Sequence, residues 1–250
     1  MSALSQGFKI IDAVTSAGTD GLSFTEVVKQ TGVPKASAHR LLNELTELAA
    51  LTLDPVARVY RGGLLLARVG GLVTANYDLR TAARPFLQAL HAEFGHVATL
   101  GVRNSDTGVY IDKIESKDFG IRLHSEVGKT FPLHCTAMGK ILLGHADDAD
   151  VRRICKRKLE AHTDNTITNG KILRAELAKI REQGFAIDDE EITRGLICVA
   201  APIFGADGNI AGAMSSTFPS YVRSEGSMQT RIDAVRRFAA QASADTGPLV

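Results

Sequence analysis

The sequence predicts an α+β chain in two parts, a winged helix-turn-helix followed by a larger domain with a mostly antiparallel sheet. Three observations predict it. Residues 31–45, TGVPKASAHRLLNEL, join two helical patterns through a tight turn. After Leu48 the apolar period changes from helical to alternating, and beyond Gly95 strand-like runs occur in hairpin pairs between helical stretches.

In the 31–45 stretch, Gly32 can take the left-handed residue of a turn, and Pro34 opens the next helix where its missing N–H costs nothing. Leu41, Leu42, Leu45 and Leu48 recur at helical spacing and are expected to face a core. Lys35, Ser37, His39, Arg40 and Asn43 then fall on or beside the opposite face. Arginine reads guanine edges, asparagine suits adenine, and lysine and serine serve phosphates. The same residue mix also suits a solvated helix face, and Arg40 fits a structural role within the module equally well. The flanking residues decide between these readings.

Upstream, Leu4, Phe8, Ile11 and Val14 are spaced as one face of a first helix, which SAGTDG at 16–21 ends. Ser23 and Glu26 form an S-x-x-E capping box for a second helix, with Val27 and Val28 as its apolar side. Downstream, Leu51 and Leu53, the turn Asp54-Pro55 and the run 59–61 read as a β-hairpin. This hairpin is a wing, and Arg58 and Arg61 on it are expected to contact phosphate or the minor groove. Three helices and a hairpin within about sixty residues favour DNA binding over a purely structural module.

Residues 64–83 read as a helical linker between a DNA-binding domain at 1–63 and a second domain at 84–250. A polar cap at Asp78 starts a helix carrying Leu79, Phe86, Leu87, Leu90 and Phe94 and ended by Gly95, with Pro85 in its early turns as a kink or restart. Strands are expected at 97–102 and 109–114 around the turn RNSDTG, and again at 121–124. Helices follow at 135–143 and at 172–183, the second ended by Gly184. Further strands at 185–187, 197–200 and 210–215 precede a closing helix at 232–242, with Asp207-Gly208 as the hairpin turn between the last two strands.

The 250 residues, 44% of them hydrophobic, can bury the cores of two domains. A net charge of +1 argues against a protein that coats polyanions. In residues 1–65, Lys9, Lys29, Lys35, Arg40, Arg58 and Arg61 balance Asp12, Asp20, Glu26, Glu44, Glu47 and Asp54, so DNA affinity must come from charge placement. Cys135, Cys155 and Cys198 are widely spaced without a CxxC motif, which fits a reduced, cytoplasmic protein. No run approaches the ~20 apolar residues of a membrane span, and the N-terminal segment has no signal-peptide core.

An ordered succession of stretches carries a resemblance: VPKASAHRLL at 33–42, RPFLQAL at 84–90, VGKTFPLHCTAMGKILL at 127–143, NTIT at 165–168, REQGFAIDDEE at 181–191 and GLICVAAPIFGADGNIAGAMS at 195–215. Along nearly its whole length the chain resembles the IclR-type transcriptional regulators. The resemblance implies a winged helix joined through a helical linker to a GAF-like domain that senses a small organic molecule. It further implies a homodimer or dimer of dimers on double-stranded operator DNA, controlling nearby catabolic genes, with no membrane partner. The family's effector pocket maps onto Leu123, Phe131, Ala137, Met138, Asp188, Leu196, Cys198, Ser215 and Thr217. Leu123, Phe131, Leu196 and Met138 would form apolar walls, while Ser215, Thr217 and the amides opening the 136–143 helix could hold a carboxylate. Asp188 would accept from a hydroxyl, or be raised in pKa if buried beside an acid. Gln6 stands where the family commonly has arginine, Ala36 where a hydroxyl is frequent, and Ala49 where glycine usually follows the recognition helix.

Other readings stand beside this one. A zinc site built from His134 and Cys198 falls short of four ligands, so His134 is expected as a satisfied core histidine and no metal or cofactor is expected. Cys198 lies in an apolar run and is expected as a buried free thiol. Among the acids 188–191 only Asp188 is singled out; the others are expected to face solvent. The alternative function is a small-molecule enzyme or sensor using Cys198 or Asp188 with no DNA role. Against an enzyme, the sequence contains no GxSxG, HExxH or Walker loop.

Overall fold

The computed structural model describes residues 2–75, 78–116, 125–224 and 228–246. The chain divides into two compact units, Met1–Asn76 and Tyr77–Val250. Among the described residues, no helix is long and apolar enough to cross a membrane.

The first unit contains α1 (Ala3–Ser16), β1 (Leu22–Ser23), α2 (Phe24–Thr31), α3 (Lys35–Glu47), β2 (Leu51–Asp54), β3 (Val59–Gly62) and α4 (Leu64–Ala75). Its strands form an antiparallel sheet in the order β1-β3-β2. Local chemistry sets the boundaries. The Ser23 amide donates to Glu26 Oε2 at 2.8 Å, and the Glu26 amide returns to Ser23 Oγ at 3.4 Å, completing the capping box. Gly32 ends α2 at φ +66°. Ile10, Val14, Val27, Ala38, Leu41, Leu42 and Leu51 are core residues that hold the three helices against the hairpin.

Two expected core faces are corrected. In α1 the buried stripe is Gly7, Ile10 and Val14, whereas Leu4 and Phe8 are 73% and 64% exposed. Two stripes share Val14, and a glycine with no side chain gives hydrophobic periodicity nothing to register. Leu48 is exposed because α3 ends at Glu47 and the chain turns left-handed at Ala49, φ +57°. That conformation crowds a Cβ. Ala49→Gly is expected to raise stability by about 0.5–1 kcal/mol, measured as a higher denaturant midpoint at unchanged slope; an unchanged or lower midpoint would contradict the strain.

The second unit is built on a six-stranded antiparallel sheet in the order β6-β5-β4-β9-β8-β7. These are β4 (Val97–Asn104), β5 (Thr107–Ile114), β6 (Thr130–Pro132), β7 (Ala186–Asp189), β8 (Leu196–Phe204) and β9 (Ile210–Pro219). Strand alternation divides the core. Val199, Ala201 and Ile203 of β8 pack with α5 (Asp78–Phe94) and α9 (Met228–Asp245), while Cys198 and Ala200 face the cluster of α6 (Ala137–Gly144), α7 (Asp148–Cys155) and α8 (Gly170–Gln183).

Leu79 and Ala83 of α5 are fully buried in this core, so the second unit takes in the end of the stretch read as linker. Pro85 lies inside α5, and Gly95 at φ +67° follows its end. Four elements escaped the sequence reading: β1 and β6, of two and three residues, a 3-10 helix at Ser220–Ser224, and α7, a charged helix capped by the Asp147 side chain on the Asp150 amide. The strand expected at 121–124 lies outside the described residues.

Candidate DNA interface and ligand cavity

On α3, burial of Ala38, Leu41 and Leu42 leaves Lys35, His39 and Asn43 on one exposed stripe at four-residue spacing. Ser37 is half-buried at its edge. The His39 ring stands edge-on to Phe24 of α2 with centroids 6.2 Å apart, and Asn43 Nδ2 lies 3.5 Å from His39 Nδ1. Arg40 Nη1 is 2.8 Å from Glu44 Oε1, an exposed pair that contributes at most about 1 kcal/mol and can be exchanged for a phosphate. The N-terminus of α3 is capped by Pro34 without any side-chain hydrogen bond, so its opening amides remain available to an anion.

The wing separates its two arginines. Arg58 is exposed at the hairpin turn with φ +55°. Arg61 is engaged inside the module, its Nε donating to the Thr19 carbonyl at 2.8 Å and Nη1 to Asp54 Oδ2 at 2.7 Å. The Arg61 guanidinium and the amides of Ala57 and Val56 lower the Asp54 pKa to about 2. Arg61 therefore braces the hairpin, a role that the spacing of charges along the sequence did not distinguish from phosphate contact.

In the second unit, Phe131 of β6 lies across β4 and β5 because both strands carry glycine beneath it. A Cβ on Gly108 would come within 2.0 Å of the ring, and one on Gly101 within 2.8 Å. Phe131 in turn walls a cavity of about 140 Å³, lined also by Tyr110, Ser125, Thr136, Leu196, Cys198 and Thr217. Thr130, Pro132, Ile192 and Thr193 complete the lining. Among the described residues, no charged side chain lines it.

Of the expected pocket residues, Phe131, Leu196, Cys198 and Thr217 line this cavity, while Ala137, Met138, Asp188 and Ser215 are buried outside its lining. Leu123 lies outside the described residues. Ser215 and Thr99 share a hydrogen bond of 2.7 Å between their hydroxyls, and Thr99 Oγ1 donates to Met138 Sδ at 3.8 Å. Cys198 Sγ is 3.1 Å from Thr217 Oγ1. Burial pushes the Cys198 thiol up, so it is not an activated nucleophile. Tyr110, Ser125 and Thr193 were missed because hydroxyl residues on separate elements carry no local motif. Thr136 could have been found as the capping residue of α6.

One polar feature lines the cavity and another lies beside it. Ser125 Oγ is buried without a hydrogen-bond partner among the described residues. Thr136 accepts from the Gly139 amide at 3.0 Å, which leaves the Ala137 and Met138 amides at the opening of α6 without partners among the described residues.

The acidic loop differs from expectation. Glu191 is buried rather than solvent-facing, and it forms an ion pair with the fully buried Lys140, whose Nζ also donates to the Ile187 carbonyl at 2.6 Å. Asp188 Oδ1 accepts from the Glu191 amide at 2.7 Å, and Oδ2 has no partner among the described residues. Burial pushes the Asp188 pKa up to about 7. His134 is not joined to Cys198; its Nε2 lies 2.9 Å from the Glu160 carbonyl.

A DNA-reading winged helix in one unit and a ligand-sized cavity in the other define a class, the transcription regulators that respond to small molecules. Comparison with known proteins gives the family. The model for the IclR helix-turn-helix domain matches residues 3–55, and that for the bacterial transcriptional regulator IclR C-terminal domain matches residues 71–244. The HTH-type transcriptional regulator BhcR of Paracoccus denitrificans is 31% identical over 98% of this chain and 88% of its own. A crystal structure of an IclR regulator from Alicyclobacillus acidocaldarius superposes with TM-score 0.86 at 26% identity, over 98% of both chains. An IclR homolog from Microbacterium hydrocarbonoxydans, complexed with 4-hydroxybenzoate, shares the fold with TM-score 0.83 at 18% identity over 98% of both chains. The chain belongs to the IclR family and is an effector-responsive, DNA-binding transcriptional regulator.

Proposed function

We propose that the effector is a small organic acid no larger than a substituted six-membered ring, bound in the cavity walled by Phe131, and that its binding changes affinity for an operator beside the genes that consume it. The observation that carries this reading is the cavity's chemistry: apolar walls, the Ser125 hydroxyl buried without a partner among the described residues, and the further hydroxyls of Tyr110, Thr136, Thr193 and Thr217. A carboxylate is held by such donors without a counter-charge. A volume near 140 Å³ suits one ring, since cavities of about 150 Å³ hold benzene. The complex of the Microbacterium homolog with 4-hydroxybenzoate is in keeping with this class. Burial pushes the Cys198 thiol up and away from a nucleophile's role, in keeping with a protein that binds its ligand without converting it.

On the DNA side, Lys35, His39 and Asn43 read the operator from α3, with Ser37, Arg40 and the helix N-terminus on phosphates and Arg58 at the wing tip. One recognition helix provides too few contacts for specific binding, so the protein acts as a cytoplasmic homodimer, or a dimer of dimers, on paired half-sites. Gel shifts on DNA from the protein's own upstream region test the interface. Lys35→Ala is expected to weaken binding to all sequences and reduce the log–log salt slope by about 1, whereas His39→Ala relaxes sequence preference. Unchanged slope and preference in both variants would remove α3 from the interface.

A further inference from the structure

We propose that His134, Cys135 and His162 form a binding site for one borderline-soft divalent cation, zinc in the first place. One ligand atom of each residue lies within 4.8 Å of those of the other two. Zinc bonds to nitrogen of about 2.0–2.1 Å and to sulfur of about 2.3 Å place tetrahedral ligands roughly 3.3–3.7 Å apart, so contraction by about an ångström completes the geometry. Two imidazoles and a thiolate select zinc over magnesium or calcium, which prefer oxygen.

The surrounding bonds hold these donors in place. His134 and Cys135 sit between β6 and the cap of α6, where Thr136 Oγ1 donates to the Pro132 carbonyl at 2.8 Å. The His162 amide donates to Thr166 Oγ1 at 3.0 Å, and that hydroxyl donates to the Glu191 carbonyl at 2.6 Å. The Glu160 carbonyl can only accept, so His134 Nε2 carries the proton and Nδ1 keeps the lone pair. A histidine hydrogen-bonded in this way keeps one ring nitrogen free to ligate a metal.

Binding displaces the Cys135 thiol proton to solvent as the zinc–sulfur bond forms. His134 and Glu160 also line a cavity of about 300 Å³, which lets water take the fourth position. The ion would stiffen the segment leading to Thr136, a residue of the ligand cavity.

The test uses full-length protein stripped with a chelator and titrated with cobalt(II), then zinc(II). The expected result is one equivalent of tetrahedral cobalt with a thiolate charge-transfer band, bleached by zinc. Cys135→Ser should abolish that band, and Cys198→Ser should leave it. His162 is exposed, so His162→Ala should keep the fold and raise the zinc Kd by more than about 100-fold, beyond the loss typical of an outer-shell contact. An octahedral spectrum without charge transfer, or bands that survive both Cys135→Ser and His162→Ala, would overturn the proposal.

Discussion

Lys140→Met is expected to lower the unfolding free energy by about 3–5 kcal/mol near pH 8, because it leaves the Glu191 carboxylate buried without its counter-charge. The Ile187 carbonyl loses a donor at the same time. The loss should depend on pH with a definite sign. Burial already raises the Glu191 pKa above its ordinary 4.5, against the pull of Lys140, and removing the lysine raises it further. A carboxyl with a raised folded pKa binds more protons folded than unfolded, so its contribution falls as pH rises from about the unfolded value through the folded one. The variant's deficit should be smallest below pH 4.5 and grow toward neutrality. Asp188, raised to about 7 from 3.8, gives the parent protein a slope of the same sign between those values. Lys140→Met with Glu191→Gln should recover most of the lost stability. Urea unfolding at acid and neutral pH checks this, and a pH-independent loss that the second substitution leaves untouched would contradict it.

Gly108→Ala is expected to cost about 1–3 kcal/mol and to weaken ligand binding further, because the new methyl would stand 2.0 Å from the Phe131 ring. The ring cannot move away freely, since Gly101 beneath it and Tyr110 beside it, with centroids 4.6 Å apart, define its place. Displacing it removes one wall of the cavity. A variant with parental stability and ligand affinity would show that the cavity does not depend on this contact.

What could be read from the sequence was what is decided locally. The Ser23–Glu26 box, the left-handed Gly32 and Gly184 and the Asp207-Gly208 turn each depend on residues a few positions apart. The α1 face was misread because Leu4 and Phe8 mimic a buried stripe that is in fact set by Gly7. Arg61, expected on phosphate, is bonded to Asp54 and to Thr19, forty-two residues away in sequence, a partner that local charge spacing does not reveal. The described cavity residues named through the family resemblance divide into those that line the space and those buried outside it. Ser125, Thr193 and the His134–Cys135–His162 group become visible only when the fold brings distant loops together.

The central claim is that a ligand in the second unit changes DNA affinity in the first. Any such coupling requires the ligand to bind one arrangement of the protein better than another. The most direct test is fluorescence anisotropy of the full-length protein on its own upstream DNA, at fixed salt, across a panel of small mono- and hydroxy-carboxylates including ring acids. One member is expected to change the operator Kd by about 5–150-fold, with Ser125→Ala requiring about ten times more of it. Specific operator binding that stays constant at saturation with an acid shown by calorimetry to bind the protein would contradict the account.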